Sequence, residues 1–254
     1  SITRDIKRIE YALEEMKYIN MGATAVGTGI NTHPKYKEHV VKYLNQYTGF
    51  EFESAEDMVD ATKHVDSFMY VHNSLKNLAV NLSKMSNDLR LMASGPKAGL
   101  GEIILPSKQA GSSIMPGKVN PVIAEMINQV AFQVIGNDTT INMATEAGQM
   151  ELNVFEPIIF ENLFESFDLL TKGAISLRRD IFVDLSVNSE HIKNVGKNSL
   201  AGVTALLPVL GYDLISKYAK ESLEKDIPLE SLLIRDKLID EETLKMFQDP
   251  KTMV

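Results

Sequence analysis

The sequence predicts an all-α protein, a long-helix bundle followed by a small helical C-terminal domain. Three observations carry this. Phe68, Leu75, Leu82 and Leu89 recur every seven residues, and Val71, Leu78, Met85 and Met92 each follow three later. Such an a/d repeat specifies a long helix packed lengthwise against others. No segment shows the apolar–polar alternation of a half-buried strand. Toward the end, Pro208, Gly211, Pro228 and Pro250 cut the chain into lengths suited only to short helices.

The elements follow in order. Ile2, Ile6, Ile9, Leu13, Met16 and Ile19 form one apolar helical stripe over residues 2–19, with Arg4, Asp5, Lys7, Arg8, Glu14 and Glu15 on the other faces. The stripe is in register from Ser1 without a preceding cap, so the expectation is a processed or excised product whose helix began upstream. Residues 22–31 are a Gly/Thr-rich turn region. A helix over roughly 34–48 follows, with Pro34 in its first turn and Gly49 past its end. Ser54-Ala-Glu-Asp57 reads as a capping box with Asp in place of Glu, ahead of the heptad helix.

Residues 95–121 hold four of the nine prolines and five glycines, a long loop of the kind that is functional or disordered. Asn120-Pro121 reads as an N-cap with Pro at the first helical position, opening a helix to about 140. After a polar break at 146–151, Pro157 opens another. Phe160, Leu163, Phe164, Phe167, Leu170, Ala174 and Leu177 give it an apolar face. Leu223 to Met246 divides into two short helices around Pro228 and Asp240. The expected domains are 1–184, a helical bundle that includes the loop 95–121, and 185–254.

Composition narrows the function. With 44% hydrophobic and 24% charged residues in 254, the chain has the makings of a sizeable core. The absence of cysteine excludes disulfides, thiolate catalysis and Cys-ligated zinc, and suits a reducing, cytoplasmic setting. A net charge of −8 argues against a nucleic-acid surface. No apolar run is long enough to span a bilayer, and no basic-then-apolar leader opens the chain.

The chemistry concentrates in Gly111-Ser112-Ser113-Ile114-Met115-Pro116-Gly117-Lys118-Val119-Asn120-Pro121. Two hydroxyls, a cation and an amide stand just before a helix N-terminus. Glycines at 111 and 117 free the backbone to point consecutive N–H groups at one spot. The helix dipole favours negative charge in the same place, so the string predicts a carboxylate or phosphate site. On composition alone, a rigid surface loop capping a helix is an equal alternative.

The string resembles the signature of the fumarase/aspartase superfamily, G-S-S-x-M-P-x-K-x-N-P, at every fixed position. Asn20-Met-Gly-Ala-Thr-Ala-Val-Gly-Thr-Gly-Ile-Asn31 and Asn87-Asp-Leu-Arg-Leu-Met-Ala-Ser-Gly-Pro96 resemble family segments in their usual order. The run Glu146-Ala-Gly-Gln149 and Glu156, within Leu152-Asn-Val-Phe-Glu-Pro157, is similar to the aspartase branch rather than to fumarases. The resemblance implies the central domain of that superfamily's fold.

What it implies about function follows from the family. Its members take a proton from the carbon next to a carboxylate and expel a group from the neighbouring carbon. For the aspartase branch this is reversible deamination of L-aspartate to fumarate and ammonia. The resemblance makes Ser112 the general base. Ser113 becomes a donor to the carboxylate that gathers charge, and Lys118 and Asn120 bind the other carboxylate. Glu125 pairs with an active-site histidine. For Glu125 the alternative is a first-turn carboxylate that satisfies the helix dipole. The substrate would be a small dicarboxylate, with no cofactor or metal called for, though a divalent activator stays open. The assembly implied is a homotetramer with each site built from three chains.

The histidine segment and a second donor segment of the family do not occur in this sequence, so the chain by itself is expected to be inactive. Fumarate hydration and a non-catalytic helical scaffold remain as alternatives. Gly22 to Thr28 lacks the lysine of a phosphate loop and reads as a structural turn. His33, His39, His64, His72 and His191 show no metal-ligand spacing, and His72, beside the heptad stripe, reads as a packing residue.

Overall fold

The computed structural model describes residues 1–95, 97–109, 111, 115, 117–197 and 205–248. The chain divides into two compact units, Ser1–Ser186 and Val187–Val254. In the first lie α1 (Ile2–Glu15), α2 (Tyr36–Thr48), α3 (Asp60–Lys63), α4 (Asp66–Met92), α5 (Val122–Glu146) and α6 (Glu156–Leu177). In the second lie α7 (Ser189–Lys197), α8 (Leu207–Leu210), α9 (Tyr212–Lys225), α10 (Leu229–Arg235) and α11 (Glu241–Gln248).

The heptad repeat becomes α4, whose 27 residues span about 40 Å. Val71, Leu75, Leu82 and Leu89 are buried as the a/d pattern requires. A further stripe, His72, Ala79 and Ser86, is completely buried as well. The extra stripe arises because α4 packs on three neighbours, α1, α5 and α6, and so has a burial arc wider than a two-helix seam. From α5 come Ile127, Ala131, Val134 and Ile141, and from α6 Ile159, Leu163 and Leu170. Gly173 lets α6 come close to α5, since a Cβ there would stand 3.1 Å from Ile127 Cδ1.

Several boundaries and faces differ from the sequence expectation. The first helix stops at Glu15, and Tyr18–Ile19 (β1) pairs in parallel with Glu53–Ser54 (β2). Its buried side carries Asp5 and Ala12, while Ile6 and Leu13 are exposed. Asp5 goes inside because both carboxylate oxygens find donors, Arg8 Nη1 at 2.8 Å and Asn81 Nδ2 at 2.7 Å. Pro34 precedes α2 instead of entering its first turn, whereas Gly49 ends that helix in the left-handed conformation (φ 74°) as expected. Ser54 belongs to β2 and caps nothing; Asp57 Oδ1 instead accepts the backbone N–H groups of Val59 and Asp60. The buried side of α6 is turned by about one residue, so that Ile159 is inside and Phe164 outside.

The second unit packs its short helices around Leu206, Ile215, Leu229, Leu232 and Leu233. Asp226 in the left-handed conformation ends α9, and Pro228 caps α10. Tyr218 Oη donates to Asp236 Oδ2 at 2.7 Å, which ties α9 to the end of α10.

Candidate active site

The signature string leads into α5. Pro121, not Asn120, is the N-cap residue. The Val122 N–H bonds to Asn120 O at 2.9 Å, and the Glu125 N–H bonds to Pro121 O at 3.0 Å. Upstream, Gly117 takes φ 81°, and the Lys118 N–H closes a turn on Met115 O at 3.2 Å. A Cβ on Gly111 would stand 2.8 Å from Lys118 O, so the backbone at 111 touches the backbone at 118 and only glycine fits. Gly111 and Lys118 therefore form a narrow neck.

Of the five residues singled out from sequence, three are placed. Lys118 is exposed in the loop, Asn120 is half-buried just before α5, and Glu125 is half-buried in its first turn. All three stand at the positive end of a helix of 25 residues, a setting that attracts anions. Ser112 and Ser113 lie outside the described residues.

Beneath this end of α5 is a polar clamp that sequence reasoning did not assign. Asn128 is buried, accepts from Arg90 Nη1 at 3.0 Å, and donates to Ser83 O at 3.1 Å and to Ser83 Oγ at 2.9 Å. Arg90 belongs to the Asn87–Pro96 segment, and that family likeness was the only sign of it. At the end of α4 the chain folds back, with the Glu102 N–H on Met92 O and the Gly101 N–H on Ser94 O, both at 2.8 Å.

Just past the end of α6, two carboxylates face the stem of the loop. Arg178–Phe182 forms one π-helical turn, a form frequent at functional sites. Lys108 Nζ lies 3.9 Å from Asp180 Oδ1 and 3.8 Å from Asp184 Oδ2. The Arg179 guanidinium first, and then the Ser176 hydroxyl, bring the Asp180 carboxyl down to about 2.

The branch-specific segment lies elsewhere. Gln149 and Leu152 bond to each other in the turn joining α5 to α6. Buried Asn153 holds that turn by donating to Ala144 O at 3.0 Å and Thr145 O at 3.2 Å. Glu125 and Glu146 mark opposite ends of α5, roughly 30 Å apart along its axis.

His72 is a second, interior centre. It is fully buried, with Nδ1 2.9 Å from Asp138 Oδ1 and Nε2 2.9 Å from Ser166 Oγ. Packing is thus its setting, but polar partners and not apolar ones receive it. Among the described residues no group of three or more His, Cys, Asp or Glu side chains is placed to hold a metal ion. No helix among them is long and apolar enough to cross a membrane.

The chain matches the Lyase family over residues 1–136 and the fumarase C C-terminus family over 203–254. It is 46% identical over 252 residues to aspartate ammonia-lyase of Bacillus subtilis (strain 168), covering 99% of this chain and 53% of that protein. To aspartate ammonia-lyase of Escherichia coli (strain K12) it is 44% identical over 245 residues, covering 94% and 51%. A crystal structure of fumarate lyase:delta crystallin from Brucella melitensis bound to cobalt superposes with a TM-score of 0.93 at 41% identity. That match covers 99% of this chain and 54% of the other. Recombinant class II fumarase from Schistosoma mansoni superposes with a TM-score of 0.90 at 33% identity, covering 98% and 55%. The chain spans about half the length of the curated relatives it matches.

Proposed function

Because the chain belongs to the fumarase/aspartase superfamily of lyases, we propose that it forms part of an aspartate ammonia-lyase, interconverting L-aspartate with fumarate and ammonia. The observation that carries the reading is the signature string, complete at every fixed position and delivered to the N-terminus of α5. Removing a proton from the carbon beside a carboxylate generates a doubly charged aci-carboxylate. Its stabilisation calls for preorganised donors where that charge develops.

In this reading Ser112 removes the proton and Ser113 donates to the carboxylate that gathers charge. Lys118 and Asn120 hold the second carboxylate. Glu125 pairs with and orients a histidine supplied from outside residues 1–254. A serine hydroxyl is a base only if its alkoxide is held by N–H donors, a cation and a helix dipole. Lys118 and the start of α5 are groups of the last two kinds.

Two observations support assembly into a homotetramer with sites shared between chains. The aspartase-like segment at 146–156 stands at the far end of α5 from Glu125, too distant to serve the same site within one chain. The outward sides of α5 and α6 also carry exposed large apolar side chains, among them Phe132, Met143, Phe164 and Ile175. Subunit association would bury them. The reading places the enzyme in solution in the cytoplasm.

The test combines this chain with the N-terminal half of an aspartase and follows fumarate by ultraviolet absorbance, from L-aspartate and from L-malate. Turnover of aspartate that Ser112→Ala abolishes is the expected result. Turnover of malate alone would transfer the assignment to fumarase. A well-folded tetramer silent on both would leave a helical scaffold as the better reading.

A further inference from the structure

The centre of the bundle holds an array that the lyase chemistry does not use. Asp138 of α5 offers one carboxylate oxygen to His72 Nδ1 at 2.9 Å. The other accepts from Lys76 Nζ at 2.5 Å and Asn142 Nδ2 at 3.0 Å. Ser166 of α6 faces the other imidazole nitrogen. The order Asp–His–Ser is that of a nucleophilic triad, but His72 and Ser166 have no exposed surface at all. No substrate reaches them, and the array has to act on the fold itself.

The hydrogen-bond inventory decides what it can do. An ionised Asp138 only accepts, so the His72 Nδ1 carries a hydrogen in every state. Nε2 is different, because the single Ser166 hydroxyl hydrogen has two acceptors within reach, His72 Nε2 at 2.9 Å and Asn162 O at 2.7 Å. When the imidazole is neutral, Ser166 donates to Nε2. When a proton from solvent binds Nε2, that N–H donates to Ser166 Oγ and the hydroxyl turns to Asn162 O. Asn137 Nδ2 donates to Ser166 Oγ at 3.1 Å in both arrangements. Proton uptake therefore leaves the hydrogen bonds of His72 and Ser166 intact, and its cost at the imidazole is one of charge.

That charge falls on one carboxylate already serving a lysine. The charged groups around the imidazole are Asp138 from α5, Lys76 from its own helix and, through Asn137, Glu165 from α6. Helix α1 brings Lys7 and Arg8 to the cleft bounded by Tyr70, Asn73, Ser74 and Asn77, on another side of α4. Lys76 is partly exposed, retains Asn73 Oδ1 at 2.8 Å as a partner, and has water within reach. His72 has no such exit.

We propose that His72 and Lys76 compete for the charge of Asp138, so that proton uptake by the buried imidazole weakens the lysine's hold on the second carboxylate oxygen and releases Lys76 to solvent. The bundle thereby contains an acid-responsive element joining α4, α5 and α6. It stands apart from the lyase chemistry and is tested without it.

The experiment is NMR titration of this chain, following the imidazole C–H signals of the five histidines and the Lys76 ammonium. In the unsubstituted chain, His72 should titrate below the ordinary histidine value, and the Lys76 ammonium signal should lose its protection with the same midpoint. Lys76→Met removes the competing cation, and the His72 midpoint should rise by about one pH unit. Lys76 is on the rim, so this variant keeps the fold where a change at Asp138 risks losing it. A His72 midpoint unmoved by Lys76→Met overturns the proposal, as does a Lys76 signal indifferent to the protonation of His72.

Discussion

Arg90 of α4 donates to Asn128 of α5 at 3.0 Å, one helical turn beyond Glu125. The bond joins the C-terminal end of one long helix to the N-terminal end of the next, where the proposed carboxylate site stands. Asn128 is satisfied on both its amide nitrogen and its oxygen, and it is buried. Asn128→Leu would leave Ser83 and Arg90 without that partner. We expect a loss of about 2 kcal/mol in urea unfolding, with the larger loosening at the start of α5 by amide hydrogen exchange.

Asp5 has no exposed surface and is held by Arg8 and Asn81. Asp5→Ala strips two donors of their acceptor and leaves a small void between α1 and α4. Because Arg8 is half exposed and recovers water, the expected loss is about 2–3 kcal/mol, below that of a fully buried pair. A drop in the thermal midpoint with unchanged helical circular dichroism at low temperature is the readout.

Gly27 has φ 80°, and a Cβ there would lie 2.3 Å from Val59 Cα and 2.4 Å from Met58 O. Both neighbours are backbone, so neither can rotate away. Gly27→Ala should cost more than about 3 kcal/mol or displace α3. Gly49→Ala, with φ 74° but open space around it, should cost only about 1 kcal/mol. Parallel denaturation curves of the two variants separate collision from conformational cost.

Acid should destabilise the bundle before carboxylates ordinarily titrate. Burial holds the His72 imidazole below its usual 6.5, although the Asp138 hydrogen bond opposes this. Unfolding restores the ordinary value, so the unfolded chain binds the extra proton. The stabilisation is complete above about pH 6.5 and is lost as the pH falls toward the lowered folded value. Burial pushes the Asp138 carboxyl up, but Lys76 and His72 together outweigh it and leave it below its usual 3.8. That contribution is present above about pH 4 and fades further down. Stability measured by urea at a series of pH values should start to decline near pH 6.5, and His72→Gln should flatten the curve in that window.

In the combined enzyme, Ser112→Ala should lower kcat on the order of a thousandfold, the scale of losing a general base. Lys118→Met should raise KM for aspartate, with a fall in kcat/KM of about a hundredfold. Glu125→Gln should reduce kcat by less than Ser112→Ala and change the pH profile, because the role proposed for Glu125 is exercised through a histidine. Steady-state kinetics across pH distinguishes the three.

The sequence by itself determined that the protein is a helical bundle, and it supplied the string on which the proposed chemistry rests. The a/d repeat of α4, the glycine after α2 and the proline opening α6 are local signals, each acting through the backbone of the element that carries it. The signature string is likewise contiguous, and it stands ahead of α5 as its residues imply. Tertiary structure alone decided which sides of the helices face inward and which polar groups go with them. Periodicity marks an apolar stripe but says nothing of how many helices surround it, so the third buried stripe of α4 and the turned side of α6 were hidden. Asp5, His72 and Asn128 are buried because donors and acceptors on other helices meet them. His72 and Asp138 stand 66 positions apart in the chain, and nothing local to either carries a trace of that meeting. A hydrogen bond between helices is a property of their packing, and it exists only once the chain has folded.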